Sequence, residues 1–394
     1  MTTPRHGDRP WECGHIDHTQ FDIELRDSRT KKLLGKPWGT ILSDANTRRF
    51  LAVVVSFDPP SYRSCMAVLR ECVRRHGRLP KTIIVDWGKE FGSVYFETFL
   101  ARYEIHKKSR PEAEPRFGSV CERLFGSTNT RFVHNIMGST KIMKNVRKVT
   151  KSVNPKKHAL WTLPKFYVRL REWAYEVHDT IEHPALGQTP REAYIQGMKR
   201  SGERLHKMIA YDESFIMLTL PTTPKGEATV IPQRGVKIHY IHYWSQSFRD
   251  RTVEGTKVPV RYDPFNAGVA YAYVKRRWVQ CVSESPALNG RSEKEMQAAT
   301  EILRQKNRLH NQQFAVTARQ IADFIVSTEA EEALELQRLR DAEYKQTIAT
   351  HEELETKQVD MNNSTMNASS KTENEAPAPK LASKPRRPGS MEDF

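Results

Sequence analysis

A chain of 394 residues can bury two or three separate cores, and its formal charge of +16 at pH 7 calls for a polyanionic partner. Its five cysteines (Cys13, Cys65, Cys72, Cys121 and Cys281) are odd in number, scattered and never spaced C-x-x-C, which indicates neither a disulfide framework nor a zinc ribbon and suits a reducing compartment. No apolar run reaches the roughly 20 residues of a membrane span, and the opening MTTPRHGDRPWE lacks the apolar core of a signal peptide, so a soluble, intracellular protein is expected.

In chain order, HIDHTQFDIEL alternates like a β-strand, WGTILSDANTRRFLAVVVSF reads as two strands around a polar turn, and SYRSCMAVLRECVRRHG reads as an amphipathic helix closed by Gly77. A short strand, TIIV, then runs directly into Asp86, and SVYFETFLARYE reads as a second helix. Three strands, a helix, a strand and a helix make an α/β layer domain, with Asp17 on the first strand and Asp86 at the end of the fourth, on adjacent central strands. In PRFGSVCERLFGSTNTRFVHNIM the apolar residues Val120, Leu124, Phe132 and Val133 sit near helical spacing, which places Glu122 in the early turns of a helix. A further helix covers KFYVRLREWAYEVHDTIEH, followed by a turn at Pro184 and Gly187.

Beyond about Gly202 the texture changes. SFIMLTLP, ATVIPQRGVKIHYIHYWS, KVPVRYDP and GVAYAYVKRRWVQCVS read as short strands separated by Gly and Pro, the pattern of a small all-β barrel. After Pro286, long Ala-, Glu-, Gln- and Leu-rich stretches predict helices to about Glu355, and the polar remainder cannot bury a core and is expected to be disordered. The expected organisation is an extension over 1–10, an α/β domain over 11–200, a barrel over 201–285, a helical region over 286–355 and a tail over 356–394.

The positive charge is concentrated. Between Lys107 and Glu172 sixteen Lys or Arg face four Glu, interleaved with Phe117, Phe125, Phe132, Trp161, Phe166 and Tyr167, a mixture that suits a nucleic-acid surface as well as a solvated basic face. Arg123, Arg131, Lys141, Lys144, Arg147, Lys148 and Lys151 are the candidate DNA contacts. Asp17, Asp86 and Glu122 sit where one fold can deliver three carboxylates to one place. Oxygen-only ligands of this kind suit Mg²⁺ or Mn²⁺, and two such ions can serve an in-line displacement at phosphorus. Cys13, His15 and Asp17 also alternate onto one strand face, but no second Cys/His pair completes a zinc site, so His15 and His18 read as strand residues flanking the acid. Asp22 and Asp44 suit turn and surface roles, and Lys89 and Glu90 suit either a supporting role beside Asp86 or a solvated loop.

With these residues the chain resembles the DDE transposases and retroviral-type integrases, and within them the phage Mu type and the TnsB subunit of heteromeric transposons. HIDHTQFDIEL, IIVDWGKEF and GSVCERLFGSTNTRF carry the resemblance around the three acids. HPALGQTPREAY is similar to the segment closing that catalytic domain, and RGVKIHYIHYWS with VPVRYDP to the Mu-type barrel. Two departures stand out: Trp87 follows the second acid where a small polar residue is usual, and about ten residues precede Trp11 where TnsB-like subunits carry DNA-binding domains.

The resemblance implies a ribonuclease H-like, integrase-type catalytic domain with Asp17, Asp86 and Glu122 as catalytic and metal-binding residues for two Mg²⁺, which Mn²⁺ can replace. It implies a DNA transposase that cleaves transposon 3′ ends and transfers the 3′-hydroxyl into target DNA. A ribonuclease H-like nuclease that does not join, and a catalytically silent DNA-binding scaffold, stay open as alternatives. The implied partners are transposon-end and target DNA, further copies of the chain on DNA, a second transposase subunit, and an AAA+ ATPase regulator reached through the tail, with no membrane. In that tail KLASKPRRPGSMEDF offers Met391 and Phe394 as anchors and Arg386 and Arg387 as steering charges. A bacterial cytoplasmic, nucleoid-associated location follows.

Overall fold

The computed structural model describes residues 6–86, 88–110, 115–141, 154–204, 207–309 and 316–372. The chain divides into two units, Met1–Thr347 and Ile348–Phe394. The first strand, β1 (Cys13–Gln20), is followed by a two-stranded ribbon, β2 (Leu25–Arg26) and β3 (Leu33–Gly35), then by β4 (Trp38–Asp44) and β5 (Phe50–Ser56). Helix α1 (Tyr62–His76) leads to β6 (Thr82–Val85), α2 (Val94–Arg102), β7 (His106–Ser109) and α3 (Pro115–Arg131). Five of these strands form one sheet in the order β5-β4-β1-β6-β7, with β1 antiparallel to β4 and parallel to β6.

Alternation along these strands supplies two cores. Ile16, Leu42, Ala52 and Ile83 face Cys65, Leu69, Phe96 and Phe99 of α1 and α2. Their neighbours Ile41 and Val53 face the other way, onto Cys121 and Leu124 of α3 and Leu163, Phe166 and Leu170 of α4 (Leu163–Glu172). Both faces of the sheet are therefore covered, which is why its strands read as apolar runs. Gly77 ends α1 at φ 59°, a left-handed conformation that glycine adopts without penalty, and its N–H closes on the carbonyl of Val73. Helix α4 continues through one π-helical turn (Trp173–Val177) into α5 (His178–Thr180), and α6 (Pro190–Ser201) starts from a capping box of Thr189 and Glu192.

The strand expected at SFIMLTLP is instead helix α7 (Glu213–Leu218). Asp212 caps it by accepting from the Phe215 N–H, and Phe215 then packs beside Phe99 and Tyr103, so a local cap and tertiary contact override the apolar run. The six strands β8 (Glu227–Ile231), β9 (Gly235–Ile238), β10 (Ile241–Trp244), β11 (Lys257–Tyr262), β12 (Val269–Val274) and β13 (Arg277–Ser283) close a barrel in the order β10-β13-β12-β11-β8-β9. Its interior holds Val230, Val236, Val260, Ala270, Ala272 and Cys281 and is sealed by α8 (Glu293–Leu309), α9 (Ala318–Ile325) and the start of α10 (Thr328–Thr372). Gly235 lets β9 close against β10: its φ is +74°, and a Cβ there would stand 2.1 Å from the carbonyl oxygen of Tyr243.

Two expectations change at the edges of the fold. Strand β7 and the β2–β3 ribbon join the expected elements, and α10 runs on to Thr372, beyond the boundary expected near 355, so the helical register persists into the polar tail. Among the described residues no helix is long and apolar enough to cross a membrane.

Candidate active site at the carboxyl ends of the sheet

His15 of β1 lies opposite Ile84 of β6, and Val85 of β6 lies opposite Ser109 of β7, both pairs parallel. Continuing these registers sets Asp17, Asp86 and Arg110 side by side across three neighbouring strands. Carboxyl ends of parallel strands are where α/β sheets present ligands to solvent. Asp17 alternates away from Ile16 and so points to the α3 side, while Asp86 follows the last residue of β6 directly. The Arg110 N–H donates to the Val85 carbonyl at 2.8 Å, which holds the end of β7 against β6.

The two oxygens of Asp17 are differently engaged. Oδ1 accepts from the His18 N–H at 2.8 Å, and Oδ2 accepts from Arg110 Nη2 at 3.1 Å, with only 15% of the aspartate and 11% of the arginine side chain exposed. Burial raises the Asp17 carboxyl above its ordinary value, Arg110 and the His18 N–H oppose the rise, and the charge of Asp86 adds to it. Burial works to lower the Arg110 value, but the charges of Asp17 and Asp86 outweigh it and hold the guanidinium above its ordinary value. The Asp86 carboxylate accepts from the Gly88 N–H at 2.9 Å, which turns the chain sharply after the strand.

The residues flanking Asp17 are structural. His15 is buried at 2% exposure, and burial with the nearby Arg110 charge lowers its value to about 3, so it stays neutral. Burial raises the Cys13 thiol, and among the described residues no three His, Cys, Asp or Glu side chains converge on a common point, Cys13, His15 and Asp17 included. His18 Nδ1 meets Thr40 Oγ1 at 2.8 Å while its ring stacks on Phe91 with centroids 5.3 Å apart. Asp44, expected in a turn or on the surface, is fully buried: it accepts from the N–H groups of Trp11, Asn46 and Thr47 and from the Thr47 hydroxyl. Asp22 pairs with Lys36 at 3.3 Å.

Helix α3 crosses the sheet beside Asp17. Its Cys121 is buried with Sγ 3.6 Å from Ser43 Oγ, and burial with the charge of Asp17 pushes the thiol up to about 12. Glu122 is the next residue and is exposed. The structure thus brings Asp17 and Asp86 together and leaves Glu122 on the adjoining helix, outside any three-carboxylate cluster among the described residues. Arg123 and Arg131 of α3 and Lys141 are exposed. Lys144, Arg147, Lys148 and Lys151 lie outside the described residues, as do Trp87 and the tail residues Arg386, Arg387, Met391 and Phe394; the side chains of Lys89 and Glu90 are likewise outside them.

Sequence reasoning passed over Arg110. The signal was faint: a basic residue closing the HKKS strand, whose polar composition hid the strand itself.

Asp17 and Asp86 fit a hard divalent cation: both are oxygen donors, one within β1 and one directly after β6, and the largely buried Asp17 carboxylate already recruits a positive charge, Arg110, to the position a cation would neutralise. Residues 15–78 match the family model for the TnsB C-terminal domain, and residues 217–279 match the one for the Mu transposase C-terminal domain. Two separate segments of the chain are thus similar to the C-terminal domains of the TnsB and Mu transposases.

A transposase of transposon Tn552 from Staphylococcus aureus is 24% identical over 296 residues, which cover 72% of this chain and 56% of that protein; the chain therefore spans little more than half the length of this curated relative. Among solved structures, the catalytic core domain of BIV integrase matches at 13% identity and a TM-score of 0.29, covering 49% of this chain and 99% of that one. The HTLV-2 integrase catalytic core domain in complex with magnesium matches at 13% identity and a TM-score of 0.29, over 48% of this chain and 99% of that one. The simian T-cell lymphotropic virus intasome with the PP2A regulatory subunit B56 gamma matches at 15% identity and a TM-score of 0.32, over 73% of this chain and 81% of that one.

Proposed function

We propose that the chain is the catalytic subunit of a DNA transposase, which cleaves transposon 3′ ends and joins each 3′-hydroxyl to target DNA. The observation that carries this reading is that Asp17 on β1 and Asp86, directly after the neighbouring β6, are close enough for the charge of Asp86 to act on Asp17, in a chain with segments similar to the TnsB and Mu C-terminal domains. Asp17 and Asp86 would hold divalent metal, with Glu122 joining from α3. A divalent ion held by these residues would supply Lewis acidity to the displacement at phosphorus.

The chain's own groups do the rest. The His18 N–H fixes the orientation of the Asp17 carboxylate, and the Gly88 N–H fixes that of Asp86. Burial of Asp17 excludes water from one side of the site. Arg123, Arg131 and Lys141, with Lys144, Arg147, Lys148 and Lys151 beyond them, hold the DNA backbone through phosphate contacts, which position a duplex without reading its sequence. In the tail, Arg386, Arg387, Met391 and Phe394 form the contact for an AAA+ ATPase regulator. The protein works as an oligomer on DNA in the bacterial cytoplasm.

The test is a strand-transfer assay with pre-cut transposon-end DNA, a target plasmid and Mg²⁺. Joined product is expected. Cleavage of uncut ends without joining would instead make the protein a nuclease, and neither product, with DNA still bound, would make it a scaffold. Deleting residues from Lys380 onward is expected to spare joining and to abolish capture of the ATPase regulator; capture at full-length affinity would remove the tail from the interface.

A further inference from the structure

We propose that Arg110 is a resident counter-cation of the site: it holds the Asp17 carboxylate before a divalent ion arrives and competes with the ion for that carboxylate. This rests on the metal-dependent reading above. Asp17 is a largely buried acid on the central strand of a sheet, and a carboxylate in that position needs a compensating charge if it is to remain ionised. With Oδ1 engaged by the His18 N–H, Oδ2 is the oxygen left to face the site, and it is the one that Arg110 Nη2 approaches at 3.1 Å.

The arginine is built into this position by the backbone. Its own N–H is bound to the Val85 carbonyl at 2.8 Å, and the β6–β7 register sets its Cα level with Asp86. Nη2 also reaches the Ile16 carbonyl at 3.5 Å, so the guanidinium lies across the edge of β1 instead of extending into solvent.

The charges explain what such a residue does. Two carboxylates and one guanidinium leave the site at −1, so the protein can fold with both acids in place and no ion bound. A divalent ion then enters against a like charge a few ångströms away, and Asp17 must exchange a guanidinium contact for a metal contact. Arg110 thereby weakens ion binding and stabilises the ion-free fold, and a guanidinium released from Asp17 remains beside the metal, where a phosphate group is its natural bidentate partner.

The experiment compares full-length wild type, Arg110→Gln and Arg110→Lys by calorimetric titration with Mn²⁺ and by melting temperature with and without Mg²⁺, with circular dichroism as the check on folding. Removing the competing charge is expected to tighten Mn²⁺ binding of the Gln variant by roughly ten- to a hundredfold. Its ion-free melting temperature should fall and recover to the wild-type value in saturating Mg²⁺, while the Lys variant, which keeps the charge, stays near wild type in both. Equal or weaker Mn²⁺ binding by a folded Gln variant overturns the proposal, and if that variant is unfolded without metal, failure of Mg²⁺ to restore its fold does the same. Asp17→Asn separates the two readings: if it binds Mn²⁺ as wild type does, the ion is not at Asp17 and the proposal falls. If the ion does bind at Asp17 yet wild type gives no joined product, the transposase reading fails and the counter-cation role stands.

Discussion

The sheet and the barrel bury their strands by different rules. On the barrel strands the single buried polar residue among those described is Ser283, and the inward positions are Val, Ile, Ala, Tyr and Cys. The sheet, by contrast, takes His15, Thr40, Ser43, Asp44 and Thr82 into its buried layers, carries Asp17 within β1 with its side chain 15% exposed, and sets Asp86 directly after β6. A closed barrel has no strand ends inside its core, so an acid there would have no backbone N–H to receive from. An open sheet leaves backbone N–H groups free to orient carboxylates, as the Gly88 and Thr47 amides do in the turns after β6 and β4 and the His18 amide does within β1. The barrel therefore reads as a source of stability, and the sheet as the place where polar groups are held ready for chemistry.

The sharpest break in that comparison is expected from Asp86→Asn, which should lower the strand-transfer rate by about 10³-fold or more, as removal of metal-centred stabilisation would. Its melting temperature should move by less than about 3 °C, because the residue sits at a strand end outside either core. Joining at near wild-type rate would remove Asp86 from the site. The mirror-image change is Phe248→Ala, which empties a fully buried position in the barrel core and should cost about 3–5 kcal/mol in a denaturant titration while leaving the Asp17–Arg110 pair intact. A cost below about 1 kcal/mol would mean the barrel does not carry stability in this way.

A smaller effect is expected beneath the barrel, where α10 places Asp341 within reach of the Ser292 hydroxyl and the Gln337 amide. Burial raises this carboxyl to about 6, despite those two hydrogen bonds. Because the folded value lies above that of an unfolded aspartate, the favourable contribution is complete below about pH 4 and is lost as pH rises through about 6. Asp341→Asn should therefore stabilise the protein by roughly 2 kcal/mol at about pH 7 and have little effect at about pH 4. Equal effects at both pH values would show that the fold does not discriminate between the two protonation states.

The smallest effect concerns the exposed basic residues of α3 and Lys141. Neutralising Arg123, Arg131 and Lys141 one at a time should make the slope of log affinity for DNA against log salt shallower by about 0.9 for each phosphate that the side chain had neutralised. A slope unchanged by all three would return them to the solvated face.

Much of the molecule was legible along the chain because its signals are local. Alternation marked β1, apolar runs around a polar turn marked β4 and β5, the apolar run TIIV marked β6, and the helix closed by Gly77 ended where a left-handed residue was needed. The same alternation and turn spacing carried the barrel, and Asp17 and Asp86 stood out only together with Glu122, because a strand that ends in a lone aspartate is commonly a turn cap. Tertiary structure alone decided the rest. HKKS has no apolar face and becomes β7 only because β6 offers it an edge to pair with, and SFIMLTLP becomes helix α7 once Asp212 caps it and Phe215 finds Phe99. The pairing of Arg110 with Asp17 joins residues 93 apart in sequence, and no local pattern encodes a contact made by strands meeting in a sheet. Whether Glu122 shares a site with the two aspartates depends likewise on how α3 lies across that sheet, a relation that helical periodicity leaves undetermined because it sets only which way a residue faces around its own axis.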